Sequence, residues 1–453
     1  MRSATSFGLR SGHFAVAIVV AIAVAVAAST APIVIAFTVP LVASVLVLAA
    51  MVRAFRVSIA DPERERWLLT IVMAVFAVRV LVSLIIAALP AVRDTFGPDA
   101  VTYHHGAINI LHHWDAGAPI TGAPIAAGKE GFFYLLAGLY YVFGTYQVSG
   151  LIVNAALSAA LLPVIHDTTR RLFGPAAAKA AVVMVAVLPC FLVWTSQLLR
   201  EAPVIFLLAA AANAATRLTQ RTTPGAYLLL GGSLTLLFTL RANVALVAAA
   251  GFVLGIAFGR SHLLPGVATG AATLGFVVVI VVAAGVGYAG FQAATGADLE
   301  QVSAARKDLS TGVSSGYAPT QDVSTTQKAI TFLPIALPSF ALGPFPWQAR
   351  NATQIGGVLE AMSLWFLLPS LVRGLRWAKL VALRRWQALA LPALLLATSL
   401  SLLIGNFGAV VRERLQATVL LVPIAAYGWT LRRTRSRYSA GHTPPEVTEL
   451  ARV

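Results

Sequence analysis

Two long apolar runs, with one short basic connection between them, occupy residues 147–194: QVSGLIVNAALSAALLPVIHDTTRRLFGPAAAKAAVVMVAVLPCFLVW. Each run is close to the ~20 apolar residues that an α-helix needs to cross a bilayer. The connection contains Arg170, Arg171 and Lys179, and such clusters between apolar runs are typical of the cytoplasmic side of a membrane. The stretch therefore predicts two transmembrane helices that are joined in the cytoplasm.

The same pattern extends over almost the whole chain of 453 residues. Hydrophobic residues make up 58% of it and charged residues only 11%, whereas soluble domains carry about a quarter charged residues. The single cysteine, Cys190, excludes a disulfide framework. We predict an all-α, polytopic transmembrane helical bundle of about twelve spans. The predicted spans are 13–29, 32–52, 67–90, 147–169, 175–194, 201–218, 225–241, 243–259, 263–290, 353–373, 386–405 and 411–431.

The positive charge follows the predicted topology rather than a nucleic-acid surface. The formal net charge is +16, but the arginines stand in short clusters between apolar runs, without the interleaved aromatic residues that nucleic-acid binding needs. When alternate connections are assigned to the cytoplasm, most of the 33 Lys and Arg residues fall there. We expect a multi-pass protein of the cell inner (plasma) membrane, with both termini in the cytoplasm and no nucleic-acid partner.

Two long outward loops, 91–146 and 291–352, distinguish the chain from a plain bundle, and we expect both to contain juxtamembrane helices. In the first, GFFYLLAGLYYVFG at 131–144 is too short to span and predicts an interfacial or re-entrant helix. The second ends in LPSFALGPFPWQARN at 337–351, whose prolines argue against a regular helix. The predicted organisation is two extra helices and a cytoplasmic loop at 1–66, a core at 67–290, the loop 291–352, further spans at 353–431 and a disordered tail at 432–453.

The densest group of polar residues follows the third predicted span, at 93–115. Gly97 and Pro98 can begin a helix, and a helix that starts at Asp99 places Tyr103 one turn further on, beside it. A carboxylate in this position at the membrane surface suits a general base. It also suits a simple helix cap, which needs no chemistry.

Four of the eight histidines lie in the same stretch. His105 and His112, with Asn109 between them, share one face of the predicted helix. A metal site is one interpretation and polar residues facing lipid headgroups are another. Neither an HExxH motif nor a closely spaced carboxylate pair accompanies the histidines, so we predict no metal.

Charged residues beside other predicted spans form a second group of candidates. Arg200 and Glu201 stand in the short outward turn between two spans, where an unpaired charge is costly. They form either an ion pair or the wall of an active site. Arg241, between two further spans, is either a snorkelling anchor or a ligand for a lipid phosphate. Arg350 and Arg412 are similar candidates.

Four motifs occur in a characteristic order along the chain. They are GPDAVTYHHGAINIL at 97–111, the stretch 131–203 with its RRLFG and LLRE segments, FTLRANVAL at 238–246 and RERLQATVLLVPIAAYGW at 412–429. Together they resemble the GT-C type of glycosyltransferase, and are similar to bacterial glycosyltransferase family 39 and the protein O-mannosyltransferases. The chain departs from that pattern at Ala100, where the family usually has Glu.

The resemblance implies transfer of a sugar from a polyprenyl-phosphate carrier to a lipid, glycan or protein acceptor on the outer face of the membrane. It implies Asp99 as the general base and Glu201 as a second catalytic group that orients the acceptor or an arginine. Substrate binding would fall to six residues: Tyr103, His105, Arg200, Arg241, Arg350 and, in the closing motif, Arg412. No cofactor is required.

Two alternatives to the glycosyltransferase stay open. About twelve spans with both ends inside also fit a transporter or lipid flippase, although the polar residues concentrate in outward loops and no paired broken helices are evident. Ala100 after Asp99 keeps open a family member that has lost its catalytic activity.

Overall fold

The computed structural model describes residues 31–54, 62–90, 97, 99–117, 130–260, 263–283, 299–311, 315–318, 320–349 and 352–438. Within these ranges the chain is almost entirely helical, and the β pairing is limited to one isolated antiparallel bridge between Gly316 and Asn406. The predicted all-α fold is therefore confirmed.

The helices of the first half, numbered in chain order, are α1 (Pro32–Ala54), α2 (Pro62–Ala88), α3 (Asp99–Asp115), α4 (Glu130–Phe143), α5 (Gln147–Val187), α6 (Pro189–Thr195), α7 (Glu201–Gln220), α8 (Pro224–Leu240) and α9 (Ala242–Gly259). Those of the second half are α10 (Leu263–Ala283), α11 (Leu299–Ser310), α12 (Thr326–Leu342), α13 (Ala352–Trp365), α14 (Leu368–Val381), α15 (Gln387–Leu403), α16 (Phe407–Glu413) and α17 (Leu415–Tyr438). Both long loops contain helices, as predicted: α3 and α4 in the first, α11 and α12 in the second.

Many of these helices are suited to a bilayer by length and composition. Six segments of the described residues are long and apolar enough to cross a membrane: Pro32–Ala54, Arg66–Ala88, Gln147–Val187, Glu201–Gln220, Ala242–Gly259 and Gln354–Lys379. Shorter apolar helices lie at Glu130–Phe143, Pro224–Leu240 and Gln387–Leu403. The chain is thus a multi-span membrane protein, while the count of about twelve stays a prediction. The predicted first span, 13–29, and the end of the tail, from residue 439, lie outside the described residues.

The basic connection between the predicted spans 147–169 and 175–194 is a sharp turn inside α5. Gly174 has φ +85° and ψ 178°, a backbone conformation that glycine adopts without the steric cost other residues meet. Pro175 follows at once, and proline is well suited to the first position of a new helix. Two helices therefore meet at Gly174, where the sequence predicted a connection.

The end of the second long loop is more regular than its prolines predicted. Helix α12 continues through Pro334 and Pro338 and ends at Leu342. Each proline removes one backbone donor, and because the two stand four residues apart, both losses fall on one face and leave the rest of the ladder intact. Thr325 also caps the helix, since its side chain accepts a hydrogen bond from the backbone of Lys328. The irregular chain begins only at Gly343.

The chain divides into two compact units. The first comprises Met1–Pro163, Leu192–Phe206 and Thr239–Arg241, and the second comprises Val164–Phe191, Leu207–Phe238 and Ala242–Val453. In the first unit, α3 packs on α4. The aromatic face of α4 that makes this contact includes Phe132 and Phe133, both buried.

The second unit is built around very close helix packing. Helices α9 and α15 lie against each other, and a Cβ atom placed on Gly251 would overlap the backbone of Pro392. One turn further along α9, a Cβ on Gly255 would come within 2.8 Å of the Cα of Ala388. Small residues at this spacing let two helices approach closely, which is how helices associate inside a membrane.

Candidate active site

Asp99 is the first residue of α3, as the sequence predicted. The first turn forms at once, because the Ala100 N–H donates to the Gly97 carbonyl at 2.9 Å. Asp99 is half-buried, and its negative charge is stabilised by the positive end of the helix dipole. The carboxylate is therefore held near the start of a helix.

Tyr103 lies one turn beyond Asp99 and is 6% exposed. Its ring packs edge-on against Phe132, with centroids 4.9 Å apart, and at a tilt against Phe133 at 5.1 Å. Aromatic pairs prefer such edge-to-face geometry. Helix α4, which we predicted to be interfacial or re-entrant, thus holds Tyr103 in place.

A non-helical break at residues 196–200 separates α6 from α7. Asn154 of α5 stabilises the break, since its amide donates to the carbonyls of Gln197 and Leu199, each at 2.7 Å. Irregular backbone at membrane depth requires partners of this kind, because lipid supplies none. The break presents Arg200 and Glu201 at the start of α7.

Arg79 supports the same break from α2. The sequence places this arginine within a predicted span without naming a partner, and the structure supplies one: its guanidinium donates to Thr195 Oγ1 at 2.9 Å. Ser158 lies 2.6 Å from the same hydroxyl. Arg79 is fully buried, and a buried charge inside a membrane is costly. The hydroxyls of Thr195 and Ser158 offset part of that cost.

Glu201 pairs with Arg241 across the first unit. Arg241 Nη2 donates to Glu201 Oε1 at 3.2 Å, and both side chains are buried. The snorkelling interpretation of Arg241 is therefore wrong, because its side chain is 5% exposed and faces a carboxylate. Burial makes such a pair costly to break, since either partner alone leaves an uncompensated charge.

The guanidinium of Arg200 has N–H donors that no acceptor of the described residues uses. It is 7% exposed, and its Nη1 makes one long hydrogen bond, 3.3 Å, to the carbonyl of Leu240. Its Nε is buried without an acceptor among the described residues. Buried polar groups are almost always satisfied, so an unsatisfied guanidinium nitrogen of this kind suits an anionic ligand.

Electrostatics links these residues. Burial raises the pKa of Tyr103; the charges of Arg200 and Arg241 act against that rise, while Glu201 and Asp99 add to it. Five side chains from three distant stretches of sequence therefore share one environment in the first unit. We call Asp99, Tyr103, Arg200, Glu201 and Arg241 the polar cluster.

Of the other predicted site residues, the structure describes His105 and Arg412. His105 is exposed, and its ring lies 5.4 Å from that of His104. Arg412 is half-buried in the second unit, where its neighbour Arg414 is committed to an ion pair with Glu360 at 2.8 Å. Arg350 lies outside the described residues. Asn154 was not predicted; an amide within an apolar run was the one signal for it.

Comparison with known proteins places part of the chain in a wider context. Residues 131–284 match the family model of dolichyl-phosphate-mannose-protein mannosyltransferases. The predicted similarity to GT-C glycosyltransferases is thereby confirmed for this stretch. It contains Arg200, Glu201 and Arg241, whereas Asp99 and Tyr103 precede it. No curated protein matches the chain.

Solved structures to which the chain is similar include AglB and ArnT. The archaeal oligosaccharyltransferase AglB from Archaeoglobus fulgidus, in complex with an inhibitory peptide and a dolichol-phosphate, has 12% identity and a TM-score of 0.42. The match covers 86% of this chain and 54% of that one, so the chain spans about half the length of AglB. ArnT from Cupriavidus metallidurans, bound to undecaprenyl phosphate, has 16% identity and a TM-score of 0.35, with coverages of 83% and 81%.

Proposed function

We propose that this protein transfers a sugar from a polyprenyl-phosphate carrier to an acceptor hydroxyl at the outer face of the membrane. The acceptor oxygen forms a bond to the anomeric carbon of the sugar, while the bond from that carbon to the phosphate oxygen breaks. Asp99 takes the proton of the acceptor hydroxyl as general base. The carrier leaves as polyprenyl phosphate, which gains one negative charge.

The observation that carries this proposal is the buried Arg200 with its unsatisfied Nε. Arginine binds phosphate through charge-assisted, often bidentate hydrogen bonds, so the departing phosphate is a fitting ligand for the unused donors. The match of residues 131–284 to a family that uses a dolichyl-phosphate sugar supports the same assignment.

Charge balance within the polar cluster suits the reaction. Two arginines and two carboxylates make its formal charge zero, with Glu201 paired to Arg241. When Asp99 takes up the acceptor proton, the cluster becomes formally positive just as the leaving phosphate gains its second negative charge. Charges fixed in advance where charge develops stabilise a transition state strongly. Glu201 is then a positioning residue, because it holds Arg241 beside the phosphate.

The test uses the full chain, purified in detergent, with a radiolabelled polyprenyl-phosphate sugar. Wild type should release free polyprenyl phosphate in the presence of an acceptor extract, and Asp99→Asn should slow release by about 100- to 10,000-fold, the usual contribution of a general base. Asp115→Asn is the matched control, since this exposed residue ends the same helix and should leave turnover unchanged.

Two results would count against the proposal. Full turnover by Asp99→Asn removes Asp99 from the mechanism but leaves the family similarity intact. Wild type that consumes no such donor, yet moves a solute across sealed vesicles, would show that the chain is a transporter.

A further inference from the structure

A basic cavity lies in the second unit, at the ends of α7 and α9 and at the connection between α14 and α15. Its volume is about 180 Å³, well above the ~10–15 Å³ that a single water requires. Three arginines line it together with two polar residues: Arg260, Arg384, Arg385, Thr219 and Gln220. No acidic side chain of the described residues is part of the lining.

Arg260 is fixed in advance of any ligand. Its Nε donates to the Leu218 carbonyl at 3.1 Å, its Nη1 to Thr269 at 2.6 Å and its Nη2 to Thr222 at 2.8 Å. A guanidinium has five N–H donors, so these three bonds hold the group rigidly and leave two donors for an anion. Pre-organisation of this kind lowers the entropic cost of binding.

Arg384 and Arg385 bring two further positive charges to the same cavity. Neither guanidinium has an acceptor among the described residues, and both belong to the connection after α14. The residue before them, Leu383, has φ +50°, a conformation that is uncommon for residues other than glycine and costs free energy. The strained turn directs two adjacent arginines to one place.

The surroundings of the cavity resemble a membrane surface. Leu383 is 59% exposed and Trp377 of α14 is 47% exposed, and Arg376 and Lys379 of the same stretch are exposed too. A tryptophan next to basic residues, such as Trp377 next to Arg376, is typical of the interface between lipid and water. The sequence also predicts the connections after α7, α9 and α14 on the cytoplasmic side, whose leaflet is rich in anionic lipid.

We propose that this cavity binds a phosphate group, which either a lipid headgroup or free phosphate supplies, between Arg260, Arg384 and Arg385. Three cations without a carboxylate in the lining need an anion, and phosphate offers the several acceptor oxygens that arginines bind best. Basic pockets between helices on the cytoplasmic side are known to hold lipid headgroups. The proposal does not depend on glycosyl transfer by the polar cluster.

The experiment measures binding of two phosphate probes and one control lipid to the detergent-purified full chain. Fluorescent phosphatidylglycerol reports a lipid phosphate, inorganic phosphate reports the free ion, and phosphatidylcholine serves as a lipid without net charge. The test variant is Arg384→Gln/Arg385→Gln, because Arg260 holds its own loop and would unfold it if replaced. We expect about a 30-fold loss of affinity, from about a five- to sixfold contribution of each arginine.

The matched control is Arg376→Gln/Lys379→Gln, which removes two charges from the exposed face of α14 outside the cavity lining. Its affinity should change less than about threefold, since exposed charges contribute little. If the cavity variant alone loses affinity for phosphatidylglycerol, the proposal is supported and a lipid is the source of the phosphate. If the cavity variant alone loses saturable binding of inorganic phosphate, the proposal is supported and the free ion is the source. Equal losses in both variants, or no loss in either, would overturn it.

Discussion

At the scale of single residues, sequence reasoning found the members of the polar cluster but not their partners. Asp99, Arg200, Glu201 and Arg241 stand out because charge beside an apolar run is costly. The pairing of Arg241 with Glu201, forty positions away, is a tertiary contact, and no local pattern encodes it. Arg350 and Arg412 have the same signal in the sequence, and their role as ligands stays a prediction.

Replacing Arg200 should weaken binding of the donor phosphate. In Arg200→Gln we expect kcat/KM for the polyprenyl-phosphate sugar to fall about 10- to 100-fold, because charge-assisted hydrogen bonds to the phosphate are lost. Arg200→Lys keeps the charge without the planar fork and should recover only part of the activity. Steady-state kinetics checks both. A variant of either kind with wild-type kcat/KM would remove Arg200 from the phosphate site.

His104 should make the α3–α4 pair sensitive to mild acid. Burial, and then the neighbouring His105, lower the pKa of His104 below its usual value of about 6.5, and its Nδ1 is hydrogen-bonded to the Tyr140 hydroxyl at 2.9 Å. The folded state then binds fewer protons than the unfolded state. Stability therefore rises with pH through this range and falls as the pH drops below about 6.5.

The measurement is the apparent Tm of the detergent-purified protein between pH 7.5 and 5.5. His104→Gln should reduce the loss of Tm on acidification, whereas the control His112→Gln, at an exposed position of the same helix, should keep it. An unchanged pH slope in His104→Gln would show that other groups account for the effect.

At the scale of elements, hydropathy predicted where helices lie, and turn chemistry predicted where some of them end. In the sequence, Gly174 followed by Pro175 indicates a boundary between two helices. The continuation of α12 through Pro334 and Pro338 could not be predicted from the sequence, because it depends on tertiary packing that outweighs the loss of two backbone donors. The break at 196–200 lies in the short turn that the sequence predicts between two spans, but its stabilising donor, Asn154, belongs to a different helix and no local pattern indicates it.

Arg306 should be a major anchor of the second long loop. This buried side chain of α11 donates through Nη1 to the carbonyls of Ser401, Leu402 and Ile404 at 3.2, 3.2 and 3.0 Å. A cation at the C-terminus of α15 also complements the helix dipole. Its guanidinium stands 4.6 Å from the Phe332 ring centroid, a distance suited to cation–π attraction.

Arg306→Met should lower the free energy of unfolding by about 2–4 kcal/mol, because helix-end carbonyls lose their donor inside the fold. The neighbouring Lys307→Met removes the same charge from an exposed position and should cost less than about 0.5 kcal/mol. Chemical denaturation in mixed micelles measures both. Equal stability of the two variants would contradict the anchoring role.

At the scale of the whole molecule, composition alone was enough for the class of protein, because a chain with 58% hydrophobic residues can hide that surface only in a bilayer. The number of spans is harder to predict. Short apolar helices such as Glu130–Phe143 and Pro224–Leu240 have lengths at which crossing and interfacial placement are both compatible with the sequence.

The predicted topology can be tested by cysteine labelling. Cys190 is buried, so it should give little background. In Asp115→Cys, at the exposed end of α3, an impermeant thiol reagent added to whole cells should react, because we predict this loop on the outer face. Lys379→Cys, at an exposed position of α14, should react only after lysis. The reverse pattern would invert the map.

The close contact of Gly251 with Pro392, and of Gly255 with Ala388, changes how substitutions in this protein should be judged. Scales that rank residues by polarity treat Gly→Leu within a span as harmless or even favourable. Here such a change would insert a bulky side chain where two backbones already touch, in a medium that offers no hydrophobic gain in return. For α9 and α15, side-chain volume rather than polarity therefore sets which variants the fold tolerates.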